Sequence, residues 1–252
     1  MSGHPHWAGI KHKKALVDAK RGKLWSKLAK AIIVAAKHGG GDPANNIRLR
    51  TAIEEAKAVS LPKDNITRAI KRGTGELDPV EFEELLYEGY GPNGVAVMAE
   101  SLTDNRNRTA PEIRKIFEVN GGKLGATGCV SWNFDKKGIF FFSNEKVNED
   151  QLMELILEAG ADDMEEQDDG FQVTCSPDNY DTVLEFFVNH DMQPESSEIN
   201  QVPRDLVDIN DIATARAVMR LMDALDEHED IQKVSSNFNI PDDIMEQLEN
   251  EE

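Results

Sequence analysis

Cationic side chains recur along the first third of the chain at spacings that suit a polyphosphate rather than a reaction. Lys11, Lys13, Lys14, Lys20, Arg21, Lys23, Lys27 and Lys30 follow one another closely, and Arg48, Arg50, Arg68 and Arg72 extend the series. Lysine meets phosphate as a point charge, whereas arginine forks across two oxygens. His4, Trp7 and His12 sit among the first of these cations, and flat rings between charges suit stacking on unpaired bases. Trp7 has a second reading, packing its segment onto the helices that follow.

Other chemistry-bearing groups do not assemble into a catalytic pattern. The sequence has no HExxH, no GxSxG and no zinc-type Cys/His spacing. "GGGD" at 39–42 lacks the GK[ST] ending of a phosphate loop and reads as helix-cap chemistry. "DEHED" at 226–230 places carboxylates around a helix end, which reads as solvated, and His190 and His228 stand isolated. "TDNRNRT" at 103–109 offers Asn105, Arg106, Asn107 and Arg108 for a polar contact to RNA or a partner, with Asp104 or Thr109 as a helix N-cap the plainer alternative. No enzyme activity, metal or cofactor is expected. Cys129 and Cys175 form no CxxC pair and read as small buried hydrophobes. The basic N-terminus lacks the apolar core of a signal peptide, and no apolar run is long enough to span a membrane, so the expected location is cytoplasmic.

Charge is segregated. Residues 1–75 carry 16 Lys and Arg against five Asp and Glu, yet the 252-residue chain has a net charge of −19 because residues 76–252 carry −30. A basic module on an acidic body points to a polyanionic partner for the first and leaves the second to face away or to meet protein. The alternative is that the lysine stripe docks on the chain's own acidic body. Nothing in the residues sets the oligomeric state.

The elements that would hold these residues follow from periodicity. Residues 1–20 show little apolar pattern and read as an extended arm. Leu24, Leu28, Ala31, Ile32 and Ala35 then mark a helix with a core stripe, and Lys20, Lys23, Lys27, Lys30 and Lys37 fall on another face. Gly39 suits its end, Asp42 and Pro43 the start of a second helix, and Pro62 the start of a third that closes at Gly73. Beyond Gly75 the pattern becomes mixed. "ELLYEGY" and "VAVMAES" read as strands joined by "GPNG", "CVSWNF" and "GIFFFS" as two further strands. From "GIFFFS" to "SSEINQVP" the order is β-α-β-β-α-β, that of a ferredoxin-like domain. The fold class is therefore α+β and multi-domain: a basic arm and helical bundle over 1–75, a discontinuous α+β domain over 76–134 and 205–240, a ferredoxin-like domain inserted at 135–204, and a frayed acidic tail at 241–252.

"GHPHWAGIKHKKALVDAKRGK", "GGGDP", "LPKDNITRAIKRG", "EGYGPNGVAV", "LTDNRNRT" and "GCVSWNFDKKG" closely resemble the YebC/PmpR family. The resemblance is dense through residues 3–138 and looser beyond. It implies three domains with the helical one first, and no catalysis. It also implies gene regulation through nucleic acid, either DNA-directed transcription control or, as for the mitochondrial branch, translation on the ribosome. The family's N-terminal motif falls on Gly3, His4, Trp7, Ile10, Lys11, His12, Lys13, Lys14, Asp18, Lys20, Arg21 and Lys27. Pro5 and His6 depart from the usual Ser and Lys, and Ser235 and Ser236 replace a usual Tyr-His pair. The sequence reading favours an RNA- or ribosome-associated factor, with a duplex-DNA regulator second.

Overall fold

The computed structural model describes residues 18–78, 80–167 and 169–250, with side chains described from 22 onward except at 242, 246, 249 and 250. The expected arm at 1–20 lies outside the described residues, except that Asp18–Lys20 belong to the first helix. The chain divides into two compact units: one holds 132–208 and 237–239, the other the remaining described residues.

The larger unit begins with three helices, α1 (Asp18–Gly39), α2 (Ile47–Ala58) and α3 (Lys63–Gly73). Their apolar stripes meet in a core of Leu28, Ile32, Leu49, Ala52, Ile53, Ala56 and Ile66. Helix α3 lies close on α1 because residue 73 is glycine: a Cβ there would stand 2.4 Å from the Ile33 carbonyl oxygen. Asn46, not Asp42, caps α2. Its buried amide donates to the Ala35 and Gly40 carbonyls at the end of α1 and accepts from the Leu49 amide. One side chain thus satisfies groups at two helix ends, while Asp42 only closes the turn at Ala44 and Asn45.

The same unit continues with β1 (Glu83–Tyr90), β2 (Ala96–Thr103), α4 (Arg106–Val119) and β3 (Lys123–Leu124). Its remaining elements come from late in the chain and are given below with the strand order. Strand β1 pairs antiparallel with β2 in the expected hairpin, and Asn93 in the linking turn takes φ 57°.

The smaller unit contains β4 (Phe134–Ser143), α5 (Glu149–Ala159), β5 (Asp163–Gln167), β6 (Gly170–Cys175), α6 (Tyr180–Asn189), β7 (Ser196–Pro203) and β8 (Val207–Asp208). Its sheet runs β5-β6-β4-β7, all antiparallel. That order, with helices after the first and third strands, is the ferredoxin-like topology. Phe140, Phe142, Val173, Leu152, Val183 and Phe187 fill the space between sheet and helices, with Phe142 and Phe187 edge to face at 4.9 Å. This unit lies in the chain between β3 and the elements that complete the first sheet, so it is an insertion.

Those completing elements are α7 (Ile212–Asp226) and β9 (Ile231–Ser236), followed by β10 (Phe238–Asn239), which pairs with β8, and α8 (Asp242–Asn250). The first sheet thereby runs β3-β1-β2-β9. Ile113 and Phe117 of α4 and Val218, Leu221, Met222 and Leu225 of α7 are buried. Two expectations are corrected here. "CVSWNF" is not one strand: the Glu88 carboxylate takes the amides of Gly128, Val130 and Ser131, a short 3-10 turn follows, and β4 starts at Phe134. Amides held by a carboxylate are lost to a ladder. The tail is not frayed through 241–250 but forms α8, whose Ile244 and Met245 are buried.

Candidate nucleic-acid interface

The cations expected to meet phosphate have three different fates. His4, Trp7, Lys11, His12, Lys13 and Lys14 lie outside the described residues, and Lys20 and Arg21 are placed only as backbone within α1. Lys23 is exposed. Lys27 and Lys30, one turn further on, face the chain's own acidic segment at the end of α7. Lys27 is buried, its ammonium donating to the Asp226 carbonyl and standing 3.8 Å from the Asp226 carboxylate. The Lys30 ammonium lies 2.5 Å from Asp230 and 3.0 Å from the Glu229 carbonyl oxygen, with the Phe82 ring 5.9 Å away. The stripe is therefore not one solvated face.

"DEHED" is corrected with it. Asp230 is fully buried, the centre of a polar node rather than a solvated helix end. Its carboxylate accepts from Lys30, from Arg108 at 2.7 Å and from Thr109 at 2.7 Å, while Thr103 and Thr109 share a hydrogen bond of 2.7 Å. Its carbonyl accepts from the Leu102 amide, and its own amide donates to His228 Nδ1. That bond leaves the proton on His228 Nε2, which faces Glu112 at 3.0 Å, so His228 is not isolated. Burial works to raise the Asp230 pKa, but hydrogen bonds from Lys30, Arg108 and Thr109 overcome it and hold the carboxyl well below its usual range. Arg108 is raised in turn, chiefly by its bond to Asp230. His190 is likewise engaged, stacked on Phe186 with ring centroids 4.1 Å apart.

The polar loop before α4 is similarly committed. Asn105, rather than Asp104 or Thr109, is the N-cap, accepting from the Asn107 and Arg108 amides. Thr109 is drawn inside by Asp230, and Arg108 also meets Asp104 at 3.1 Å. Arg106, 3.9 Å from Glu83, and Asn107 remain on the surface. Glu88 shows the same economy on β1. Burial opposes its charge, yet three backbone amides and the Ser131 hydroxyl lower its pKa.

Among the described residues, one exposed group of cations lies on α3. Arg68, Lys71 and Arg72 are solvent-facing on the side away from the buried Ile66 and Ala69, and Lys63 is exposed one flank round, beside Ile66. At about 100° per residue, Arg68, Lys71 and Arg72 span a sector roughly 100° wide. Lys63 and Lys71 were missed in the sequence reading, although their spacing on the periodic segment could have found them. Arg48, by contrast, meets Glu84 at 3.0 Å, and Arg50 is half-buried. This arrangement can hold a run of phosphates; it offers no nucleophile beside a base. Among the described residues no cluster of His, Cys, Asp and Glu could hold a metal, and no helix is long and apolar enough to cross a membrane.

Residues 5–76 match the TACO1/YebC protein N-terminal domain, and residues 82–238 match the TACO1/YebC second and third domain. A probable transcriptional regulatory protein of Rhodopirellula baltica is 58% identical over 242 residues, 96% of this chain and 98% of that one. A protein of the same name from Dictyoglomus turgidum is 51% identical over 98% of this chain and all of its own. The crystal structure of a conserved hypothetical protein of Aquifex aeolicus superposes with a TM-score of 0.83 at 48% identity, covering 94% of this chain and 98% of that one.

Proposed function

The chain belongs to the TACO1/YebC family, and on that premise we propose that it is a non-enzymatic regulator of gene expression that grips RNA on the ribosome through the basic face of its N-terminal helices. The relatives are named as regulators, not as enzymes. The observation that carries the reading is the α3 face: Lys63, Arg68, Lys71 and Arg72 are exposed while Lys27 and Lys30 are engaged internally. Arginines spaced to fork onto successive phosphates, together with the run of cations and rings from His4 to Arg21, suit irregular RNA with unpaired bases. The acidic remainder, at −30, keeps the rest of the molecule off the same polyanion.

Control of transcription through duplex DNA is the second reading. The exposed Asn65 and Arg68 of α3 favour it, since a short helix with such side chains can enter a major groove, and the relatives' names point the same way. Co-sedimentation with ribosomes, run beside duplex-DNA binding at one physiological salt concentration, separates the two. Retention on ribosomes with weak duplex binding supports the first. A tight complex with one duplex sequence, persisting where ribosome binding fails, overturns it.

A further inference from the structure

The ferredoxin-like unit carries an apolar surface that its own fold does not use. Helix α5 needs Leu152, Ile156 and Ala159 to cover the sheet, and these are buried. Met153 and Leu157 lie one turn apart beside that seam, yet they are 49% and 80% exposed. At about 100° per residue they sit between the buried seam and the row Asp150, Glu154, Glu158. Apolar area on a helix normally matches what its partner buries, and here the stripe is wider than the partner. Single exposed hydrophobics need no explanation, but an adjacent pair that widens the core stripe and is framed by one sign of charge does.

The charge around the pair defines what fits it. Residues 135–204 contain 18 Asp and Glu against four Lys and Arg. Helices α5 and α6 contribute six of the acids and no Lys or Arg. Phosphate is repelled here, so this face and the α3 face cannot share a ligand. A flexible thioether next to leucine, bordered by carboxylates, is suited to an amphipathic helix with apolar anchors at i and i+4 and lysines or arginines alongside.

We propose that the outer face of α5 is a protein-docking surface for a cationic amphipathic helix of another protein, anchored on Met153 and Leu157 and framed by Asp150, Glu154 and Glu158. The surface is independent of the nucleic-acid reading: it would serve a regulator of either kind by letting one unit of the chain hold phosphate and the other a basic protein.

The test titrates the full-length protein with a designed Leu/Lys amphipathic helix of about five turns, followed by amide chemical shifts, beside a scrambled peptide of the same composition. The expected result is shifts centred on 149–158 for the amphipathic peptide, and affinity about tenfold weaker in M153Q/L157Q, whose melting temperature and RNA binding stay unchanged. Equal binding of the scrambled peptide, shifts centred elsewhere, or unchanged affinity in M153Q/L157Q overturns the proposal. So does a concentration-dependent dimer that M153Q/L157Q abolishes, because the occupant is then a second copy. Loss of RNA binding in α3 variants with peptide binding retained leaves this surface standing while the phosphate reading is judged on its own.

Discussion

Replacing Asp230 by Asn probes the node that ties α1 to the end of α7. Asp230 is fully buried and accepts from Lys30, Arg108 and Thr109, of which Lys30 also donates to the Glu229 carbonyl, Arg108 to Asp104, and Thr109 shares a hydrogen bond with Thr103. Removing one member of a buried ion pair costs about 3–5 kcal/mol, because the other is left charged without a counter-ion. The Arg108 side chain is 39% exposed and keeps Asp104, so the lower end applies, about 3 kcal/mol. At about 2–4 °C per kcal/mol for chains of this size, D230N should melt roughly 6–12 °C below wild type at pH 7. The sign of the pH dependence follows from the lowered pKa. A depressed carboxylate stabilises the fold above its unfolded value near pH 4 and loses that contribution as pH falls toward the folded value. The gap between wild type and D230N should therefore be full at neutral pH and narrow below about pH 4. Thermal melts by circular dichroism across that range read it directly. A D230N melt within about 1 °C of wild type at pH 7, or a gap that widens on acidification, refutes the reasoning.

Other outcomes follow from single side chains. Glu88→Gln should destabilise by about 2 kcal/mol, since its NH₂ group then faces amides that now donate to a carboxylate; urea melts measure it, and the loss should shrink below about pH 4 because the Glu88 pKa is lowered. Asn46→Ala should cost about 2 kcal/mol in the same assay by removing the α2 cap together with both bonds to the end of α1. The Cys175 thiol is fully buried and burial pushes it up to about 11, so a disulfide-exchange reagent at pH 8 should label it only on unfolding.

Local pattern carried the architecture. The apolar periodicities of α1, α7 and the strand-helix order of the inserted unit are each set by residues within one element, so they are legible before any contact is known. What escaped is what depends on a partner far along the chain. Glu88 lies about 40 positions from the amides it holds, and that pairing, invisible to alternation, turned "CVSWNF" from strand to turn. Asn46 outcompeted Asp42 as a cap because it also reaches the end of α1. Ile244 and Met245 made a helix of a tail whose composition reads as frayed. The site was legible in the same measure. Charge segregation named the N-terminal helices, but a lysine stripe looks the same whether it faces phosphate or a carboxylate about 200 residues away. Lys27 and Lys30 therefore passed for ligand contacts, and Lys63 and Lys71 were overlooked on the helix whose arginines had been noticed.

On the proposed function, phosphate meets the α3 face and not the Lys27–Lys30 end of α1. The salt dependence of RNA affinity tests it most directly, in Arg68→Gln/Lys71→Gln/Arg72→Gln beside Lys30→Gln. With about 0.7 log units of slope per phosphate contact on a single strand, the α3 triple variant should flatten the slope by roughly 2 and melt with wild type. Lys30→Gln should leave the slope in place and melt lower, because its loss is paid inside the protein at Asp230. A flattened slope in Lys30→Gln, with the α3 variant indistinguishable from wild type, would place the phosphate on α1 instead.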